Sequence, residues 1–326
     1  MGMRSSIRYR RLPALIKVAS LCAFAVSVMT VGTANAQLAS IYSGSGSNGG
    51  VNIASWGSGE VAFDQNNVYT GVRSIKVTTQ GMFQGGRIEL ADPIDLSPFI
   101  GSPSDYLDFV FRTAGQNRNN RGYGFGPGGY MGGPPNRRMT GPPNFGGYNQ
   151  NNQNQYQQNV EIKNIRFVLV TSNGKRVEGE IPLKNQRRDD QGWYNLGVPF
   201  AALKSLAAGD KLKEVQVFAD APGSFYVGEI RIINDTTPIQ ANSLDDQTEP
   251  KASELTFQGS ADDGVTPLVY NWNFGEIKGD KGVDAVGRRV THTFRKSGDY
   301  IVTLTVSDLY GFKKPSVTTC RVRITL

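Results

Sequence analysis

The sequence predicts an all-β protein built from two sandwich domains behind an export signal. Short runs of β-branched and aromatic residues recur through the chain, each bounded by Gly, Pro, Asn or Asp, the pattern of strands closed by turns. Only one short helical piece interrupts them, and many strands without intervening helices argue for antiparallel sandwiches or jelly rolls. The third observation is length: of 326 residues, about 290 remain after the signal, more than most single domains hold.

The signal comes first. Arg4, Arg8, Arg10, Arg11 and Lys17 form a positive segment without an acid, residues 18–31 are an almost unbroken apolar run, and Ala34-Asn35-Ala36 offers small residues to a signal peptidase. That order is a secretory signal over residues 1–36, with cleavage expected before Gln37. The apolar run falls short of the roughly 20 residues a membrane-crossing helix needs, which favours a cleaved signal over a membrane anchor. No second run of membrane length follows, so a secreted or cell-envelope location, periplasm or cell surface, is expected. Residues 44–50, rich in glycine, read as a flexible mature N-terminus.

Strands are expected at residues 75–79, 87–90, 106–112, 164–171, 176–181, 193–198, 214–219 and 225–233. Leu107, Phe109 and Phe111 alternate along one of them, and Ile165, Phe167 and Leu169 along another. The helical piece lies at residues 199–206, where Phe200, Leu203 and Leu206 recur at three-residue spacing. Between strands, residues 115–159 are almost entirely Gly, Asn, Gln, Pro, Tyr and Arg. With hardly an aliphatic side chain to bury, this insert cannot offset the entropy of ordering itself and is expected to be disordered. Its composition suits weak multivalent contacts, so it is either an adhesive arm or a tolerated loop expansion, the latter being the default. Residues 236–250 are polar, hold two prolines and read as a linker, with residues 251–326 forming a second compact sandwich.

Net charge is +7, from 35 Lys and Arg against 28 Asp and Glu. Five of those charges belong to the signal, and Arg118, Arg121, Arg137 and Arg138 sit in the acid-free insert. The folded remainder is slightly acidic, so no nucleic-acid partner is expected. After cleavage Cys320 is the one cysteine left, which forbids an internal disulfide. Its alternation with Val322 and Ile324 against Arg321, Arg323 and Thr325 predicts a buried, inert thiol.

The second domain resembles a PKD domain, an immunoglobulin-like β-sandwich. The resemblance rests on Tyr270-Asn271-Trp272-Asn273-Phe274-Gly275, on His292-Thr293-Phe294, and on the run from Ser297-Gly298-Asp299-Tyr300 to Val306-Ser307-Asp308. It implies a spacer or an adhesive module for proteins and polysaccharides. Asn273 stands where the family usually has Asp, and Glu276 is not followed by Gly, which alters the turn after the Trp strand. The alternations agree with a sandwich core: Tyr270, Trp272 and Phe274 share one face, and Tyr300, Val302, Leu304 and Val306 another.

The first domain, residues 37–235 around the insert, resembles a galactose-binding-like jelly roll of the carbohydrate-binding-module kind. The residues that carry this are Tyr69-Thr70-Gly71-Val72-Arg73-Ser74-Ile75-Lys76-Val77, Gln84-Gly85-Gly86, Asp95-Leu96-Ser97, Tyr106-Leu107-Asp108-Phe109, Gly192-Trp193-Tyr194, Pro199-Phe200-Ala201-Ala202-Leu203 and Phe225-Tyr226-Val227-Gly228-Glu229-Ile230. It implies a fold that can hold a glycan, though a fold alone does not establish a ligand.

Catalytic constellations are scarce. His292 is the one histidine and sits in the second domain's motif, where a packing role is expected. One His and one buried Cys leave no conventional zinc site, and no glycine-rich phosphate loop follows a strand and opens a helix. Glu60, Asp64, Glu89, Asp92, Asp95, Glu178 and Glu180 are available for carboxylate-pair chemistry, but no spacing singles out a pair. Asp245-Asp246 and Asp262-Asp263 read as solvated loop acids, with a structural calcium as the alternative; no other cofactor is expected. Sugar binding calls for exposed aromatic platforms flanked by polar groups. The chosen ligand-binding residues are Trp56, Tyr69, Arg73, Phe83, Gln84, Arg87 and Tyr194, with Tyr42 and Asn67 as further candidates, while Trp193 and Trp272 are assigned to the core.

These features lead to an exported, non-catalytic carbohydrate-binding or surface-adhesion protein whose partner is a polysaccharide or cell-surface glycan. The alternative is a cell-envelope scaffold that binds envelope proteins or its own copies. A carboxylate-dependent glycan-active enzyme is the third reading.

Overall fold

The structure, a computed structural model, describes residues 36–45, 50–114, 161–279 and 281–326. Residues 1–35 of the expected signal peptide and the 115–159 insert lie outside the described residues. Among the described residues, no helix is long and apolar enough to cross a membrane.

The first sandwich has eleven strands: β1 (Ala36–Tyr42), β2 (Val51–Trp56), β3 (Glu60–Asp64), β4 (Ser74–Thr79), β5 (Gly85–Asp95), β6 (Asp105–Thr113), β7 (Asn164–Thr171), β8 (Arg176–Pro182), β9 (Tyr194–Pro199), β10 (Lys211–Ala219) and β11 (Gly223–Asn234). One sheet runs β3-β4-β11-β6-β9, with β1 also paired to β11; the facing sheet runs β2-β5-β10-β7-β8. Every pairing is antiparallel. The chain crosses repeatedly between the sheets, the habit of a jelly roll.

The core sits between the sheets. Ile75, Val77, Leu107, Phe109, Phe111, Phe225, Val227, Ile230 and Ile232 face Ile88, Ile165, Phe167, Leu169, Val215 and Val217, all almost wholly buried. Phe109 packs on Phe167 across the gap with ring centroids 5.1 Å apart. Each such side chain contributes about 1.5–3 kcal/mol by leaving water. The expected helical piece is a single 3-10 turn, Phe200–Ala202, and its three-residue spacing delivers Phe200, Leu203 and Leu206 to the same core.

Three strands precede the expected series, which begins at residue 75. Residues 36–64 hold β1, β2 and β3, and Gly44, expected in a flexible stretch, accepts a hydrogen bond from the Val72 amide at 3.0 Å. Trp56 ends strand β2. These strands are short and their outward faces polar, so their alternation is weak.

The second sandwich comprises β12 (Gln240–Ala241), β13 (Gln247–Pro250), β14 (Glu254–Gln258), β15 (Ala261–Asp262), β16 (Leu268–Asn273), β17 (Ala285–Val286), β18 (Arg289–Thr293), β19 (Gly298–Asp308) and β20 (Ser316–Thr325). A sheet ordered β13-β20-β19-β16-β17 faces the pairs β14-β18 and β12-β15. The 236–250 stretch expected as a linker is thus part of this domain: β12 pairs with β15, and β13 runs parallel to β20. It reads as linker because β13 is an edge strand whose side chains are mostly exposed, so no apolar periodicity marks it.

Trp272 is fully buried as expected, its indole Nε1 donating to the Gly287 carbonyl at 2.8 Å. His292 stacks on Phe274 with centroids 3.8 Å apart and meets Phe294 edge-on, the packing role its position suggested. Cys320 is 4% exposed; burial, with the nearby charges of Asp246 and Asp245, pushes its thiol up to about 11.

The two sandwiches meet through specific bonds. The Asp235 carboxylate, with no exposed side-chain surface, accepts from the Thr237 and Val265 amides at 2.9 and 3.0 Å and from Lys313 Nζ at 2.7 Å. Gly197 N donates to Val265 O at 2.7 Å. The Gln186 side-chain amide donates to the Leu268 carbonyl and accepts from the Leu268 amide, at 3.1 and 3.0 Å. Tyr106, Ile233 and Val265 close a small apolar cluster there. Gly264 is required at this junction: its φ is +78°, and a Cβ would lie 2.2 Å from Asp235 Oδ2.

Candidate functional site

The outer face of the β2-β5-β10-β7-β8 sheet gathers aromatic and charged side chains. In β10, Val215 and Val217 point to the core, so Glu214, Gln216 and Phe218 point the other way. Trp56 pairs with Gly85 across β2 and β5. A Cβ at Gly85 would lie 2.9 Å from the Phe218 Cβ, and its absence lets the Trp56 ring reach across to Phe218 at 5.4 Å. Phe83 completes the group, 5.8 Å from Trp56 and 5.3 Å from Phe218.

Phe218 is 2% exposed and forms the floor; Phe83 is 41% exposed and forms the lip. Phe83 also has φ +59°, a left-handed conformation that costs a non-glycine residue about 1–3 kcal/mol. An exposed aromatic held in such a conformation is presented to solvent at the expense of stability. The turn that holds it is fastened by the Thr79 hydroxyl, which donates to the Gln84 carbonyl at 2.7 Å.

Beside the aromatics runs a chain of polar groups. Arg87 grips Glu214 through two hydrogen bonds, 2.9 Å from Nε and 2.5 Å from Nη2. Gln216 donates to the same carboxylate and accepts from Arg176, both at 2.5 Å. The Arg176 guanidinium also lies 5.7 Å from the Trp56 ring centroid. Burial pushes the Glu214 carboxyl up, but the hydrogen bonds of Arg87 and Gln216 and the charges of Arg87 and Arg176 outweigh it and leave it below its ordinary value. Further along, Arg166 pairs with Glu180 at 2.7 Å. A hollow of about 190 Å³ opens there against Glu178 and Phe218.

Three of the chosen residues, Trp56, Phe83 and Arg87, therefore meet on one face, while Gln84 sits in the adjoining turn, its carbonyl accepting from the Thr79 hydroxyl. Tyr69, in the loop between β3 and β4, packs against the opposite sheet, its ring 5.4 Å from Trp193. The Arg73 guanidinium sits 4.8 Å over the Phe63 ring, away from both groups. Tyr194 is corrected: it is 2% exposed and stacked on Phe111, because Tyr194, Leu196 and Val198 are the inward residues of β9. Tyr42 is likewise buried, its hydroxyl donating to the Arg73 carbonyl at 3.1 Å. Asn67 donates to Asp64, closing a loop. The residues not anticipated are Phe218, Glu214, Gln216 and Arg176; the alternation of 214–219 held the signal for the first three.

Asp246 accepts the Arg321 amide at 2.7 Å and Asp262 lies 3.6 Å from Arg187. Among the described residues, no group of three or more His, Cys, Asp or Glu side chains is placed to hold a metal ion.

No curated protein matches the chain in sequence. Among solved structures, the N-terminal CBM22 tandem domain from Paenibacillus barcinonensis aligns over 90% of this chain and 86% of that one, with 10% identity and a TM-score of 0.31. That score does not establish a shared fold. The second sandwich is a different matter: with its Trp272 core strand, its His292-Thr293-Phe294 strand end and the long β19 closing at Asp308, residues 235–324 match the PKD domain family, and the chain carries a PKD domain there.

Proposed function

We propose that the protein is exported and binds a polysaccharide on the outer face of the β2-β5-β10-β7-β8 sheet, without catalysing a reaction, and that the PKD domain serves as spacer or secondary contact. One observation carries this: Phe83, exposed and left-handed, stands beside Trp56 and the Arg87–Glu214–Gln216–Arg176 chain. Aromatic rings stack on the C–H faces of sugar rings, and an ordered row of planar amide, guanidinium and carboxylate groups offers donors and acceptors to their hydroxyls. Glu214 and Glu180 are engaged as ion-pair partners, which suits holding a ligand better than transferring a proton. Residues 1–36, read as a signal peptide, support the export.

The test is retention on a panel of insoluble polysaccharides, with serum albumin as control. Retention on at least one, lost in Phe83→Ala and Trp56→Ala chains that keep their circular dichroism, is the expected result. No retention above the control, or unchanged retention in both variants, overturns the proposal.

A further inference from the structure

The opposite sheet carries a second unusual constellation. Gly228 sits at a bulge in β11, between the registers of Val227 and Glu229. A Cβ on it would lie 2.5 Å from the Tyr69 Cβ and 3.0 Å from Trp193 Cζ3, so glycine makes room for both rings on this face. They form one end of a cleft of about 400 Å³ between the two sandwiches, with Val110 and Asn195 from the first and Asp263 and Tyr270 from the second.

Two polar groups lining this cleft have no hydrogen-bond partner among the described residues. Trp193 is 2% exposed, yet its indole Nε1 is buried and unpaired, a costly condition for a donor. The Asp263 side chain forms no hydrogen bond; only its main-chain carbonyl is engaged, by Lys313 Nζ at 2.6 Å. Burial foremost, with the charges of Asp235 and Asp262 and against those of Lys313 and Arg187, pushes the Asp263 carboxyl up to about 7. Near neutrality it therefore both accepts and donates.

The remaining charges do not select an ion. Arg187 is paired with Asp262, Arg188 lies 4.6 Å over the Tyr194 ring, and Asp189 is occupied by the amides of Gln191 and Trp193 at 2.9 and 2.8 Å. What is left is an aromatic face, one bare donor and one bare group that can donate or accept. A neutral ring bearing hydroxyls answers all three: its C–H face on Tyr69, one hydroxyl accepting from Trp193 Nε1, another meeting Asp263.

We propose that the cleft between the two sandwiches is a second saccharide site, distinct from the outer-sheet face, that takes one or two neutral sugar units. The ligand class rests on the glycan reading above; the location does not.

The test follows the indole N–H resonances in ¹H–¹⁵N spectra of the full mature chain, which has three tryptophans, assigned by Trp→Phe substitution. Neutral cello-, xylo-, manno- and galacto-oligosaccharides are titrated into wild type and into Trp56→Ala. The expected result is that the Trp193 resonance shifts with at least one of them in both proteins. In the Trp56→Ala background, Trp193→Phe, which keeps an aromatic ring and loses the indole N–H donor, then weakens calorimetric binding at least tenfold. Asp263→Asn, nearly isosteric, flattens the pH dependence of that binding between 6 and 8. A Trp193 resonance unmoved by every oligosaccharide overturns the proposal, whether or not Trp56 responds. Movement of Trp193 with Trp56 unaffected overturns the outer-face reading and leaves the cleft.

Discussion

Removing Arg87 tests the polar chain most directly. Glu214 has 5% of its side chain exposed, while Arg87 is 43% exposed. Breaking a buried ion pair by deleting one partner costs about 3–5 kcal/mol, but half-exposed pairs are screened, and Gln216 and Arg176 stay to support the carboxylate. Arg87→Ala should thus cost about 2 kcal/mol at pH 7, roughly 4–8 °C in Tm for a domain of this size. The sign with pH follows from the same contacts. In the wild type Glu214 lies below its ordinary 4.5, so its stabilisation is present above that pH and fades as pH falls through the folded value. Without Arg87 the burial that raises the carboxyl is less opposed, so the loss is largest at pH 7 and shrinks toward pH 4, where protonation relieves the charge. Thermal melts of wild type, Arg87→Ala, Glu214→Gln and the double variant at both pH values measure this. The double variant should recover at least half of the Arg87→Ala loss at pH 7. Equal losses at the two pH values, or no recovery, would refute the account of Glu214 as a buried charge held by Arg87.

Three further outcomes are expected. Asp108 is fully buried, and burial, against the pull of Arg231, raises its carboxyl from 3.8 to about 6; the native state then holds a proton that the unfolded chain has lost between those values. Relative to Asp108→Asn, the wild type should lose stability as pH rises from 4 to 6 and no more above it, as read from urea midpoints; a pH-independent difference contradicts this. Gly264→Ala should weaken the junction of the sandwiches, seen as faster proteolytic cutting near residues 235–265, since its Cβ collides with Asp235 Oδ2; wild-type cutting rates would show that Asp235 has room to move. Cys320 should resist a chromogenic disulfide reagent at pH 8 until denaturant is added, given a thiol pushed up to about 11; immediate stoichiometric labelling counters that.

The long strands were legible because both their faces carry information. Val302, Leu304 and Val306 alternate with Thr303, Thr305 and Ser307 over enough residues for burial to set the register, and Leu107, Phe109 and Phe111 stand in a long, largely apolar strand buried on both faces. The strands β2 and β3 were not, because they are five or six residues long and, of their side chains, only Val51 is fully buried. The same asymmetry governed the site. Trp56, Phe83 and Arg87 announced themselves as an aromatic-and-cation set in polar surroundings. Tyr194 misled because the core of β9 uses an aromatic that solvent-facing strands use too. Phe218 was passed over because, in a β-strand, a ring on the outer face and a ring on the inner face look alike until the partner strand is known. Its partner, Gly85, is the residue whose missing side chain makes the contact with Trp56.

The pairing of β13 with β20 has a mechanical consequence. These strands are parallel, with Gln247 opposite Val322 and Pro250 opposite Thr325, whereas every other pairing in this sandwich is antiparallel. A pull that draws the chain before Gln247 one way and the chain after Thr325 the other runs along the strands and across their hydrogen bonds. The bonds are then loaded in shear and must fail together, where a pair pulled open from one end unzips bond by bond. The stretch that looked like a loose tether in the sequence is the element that would bear tension.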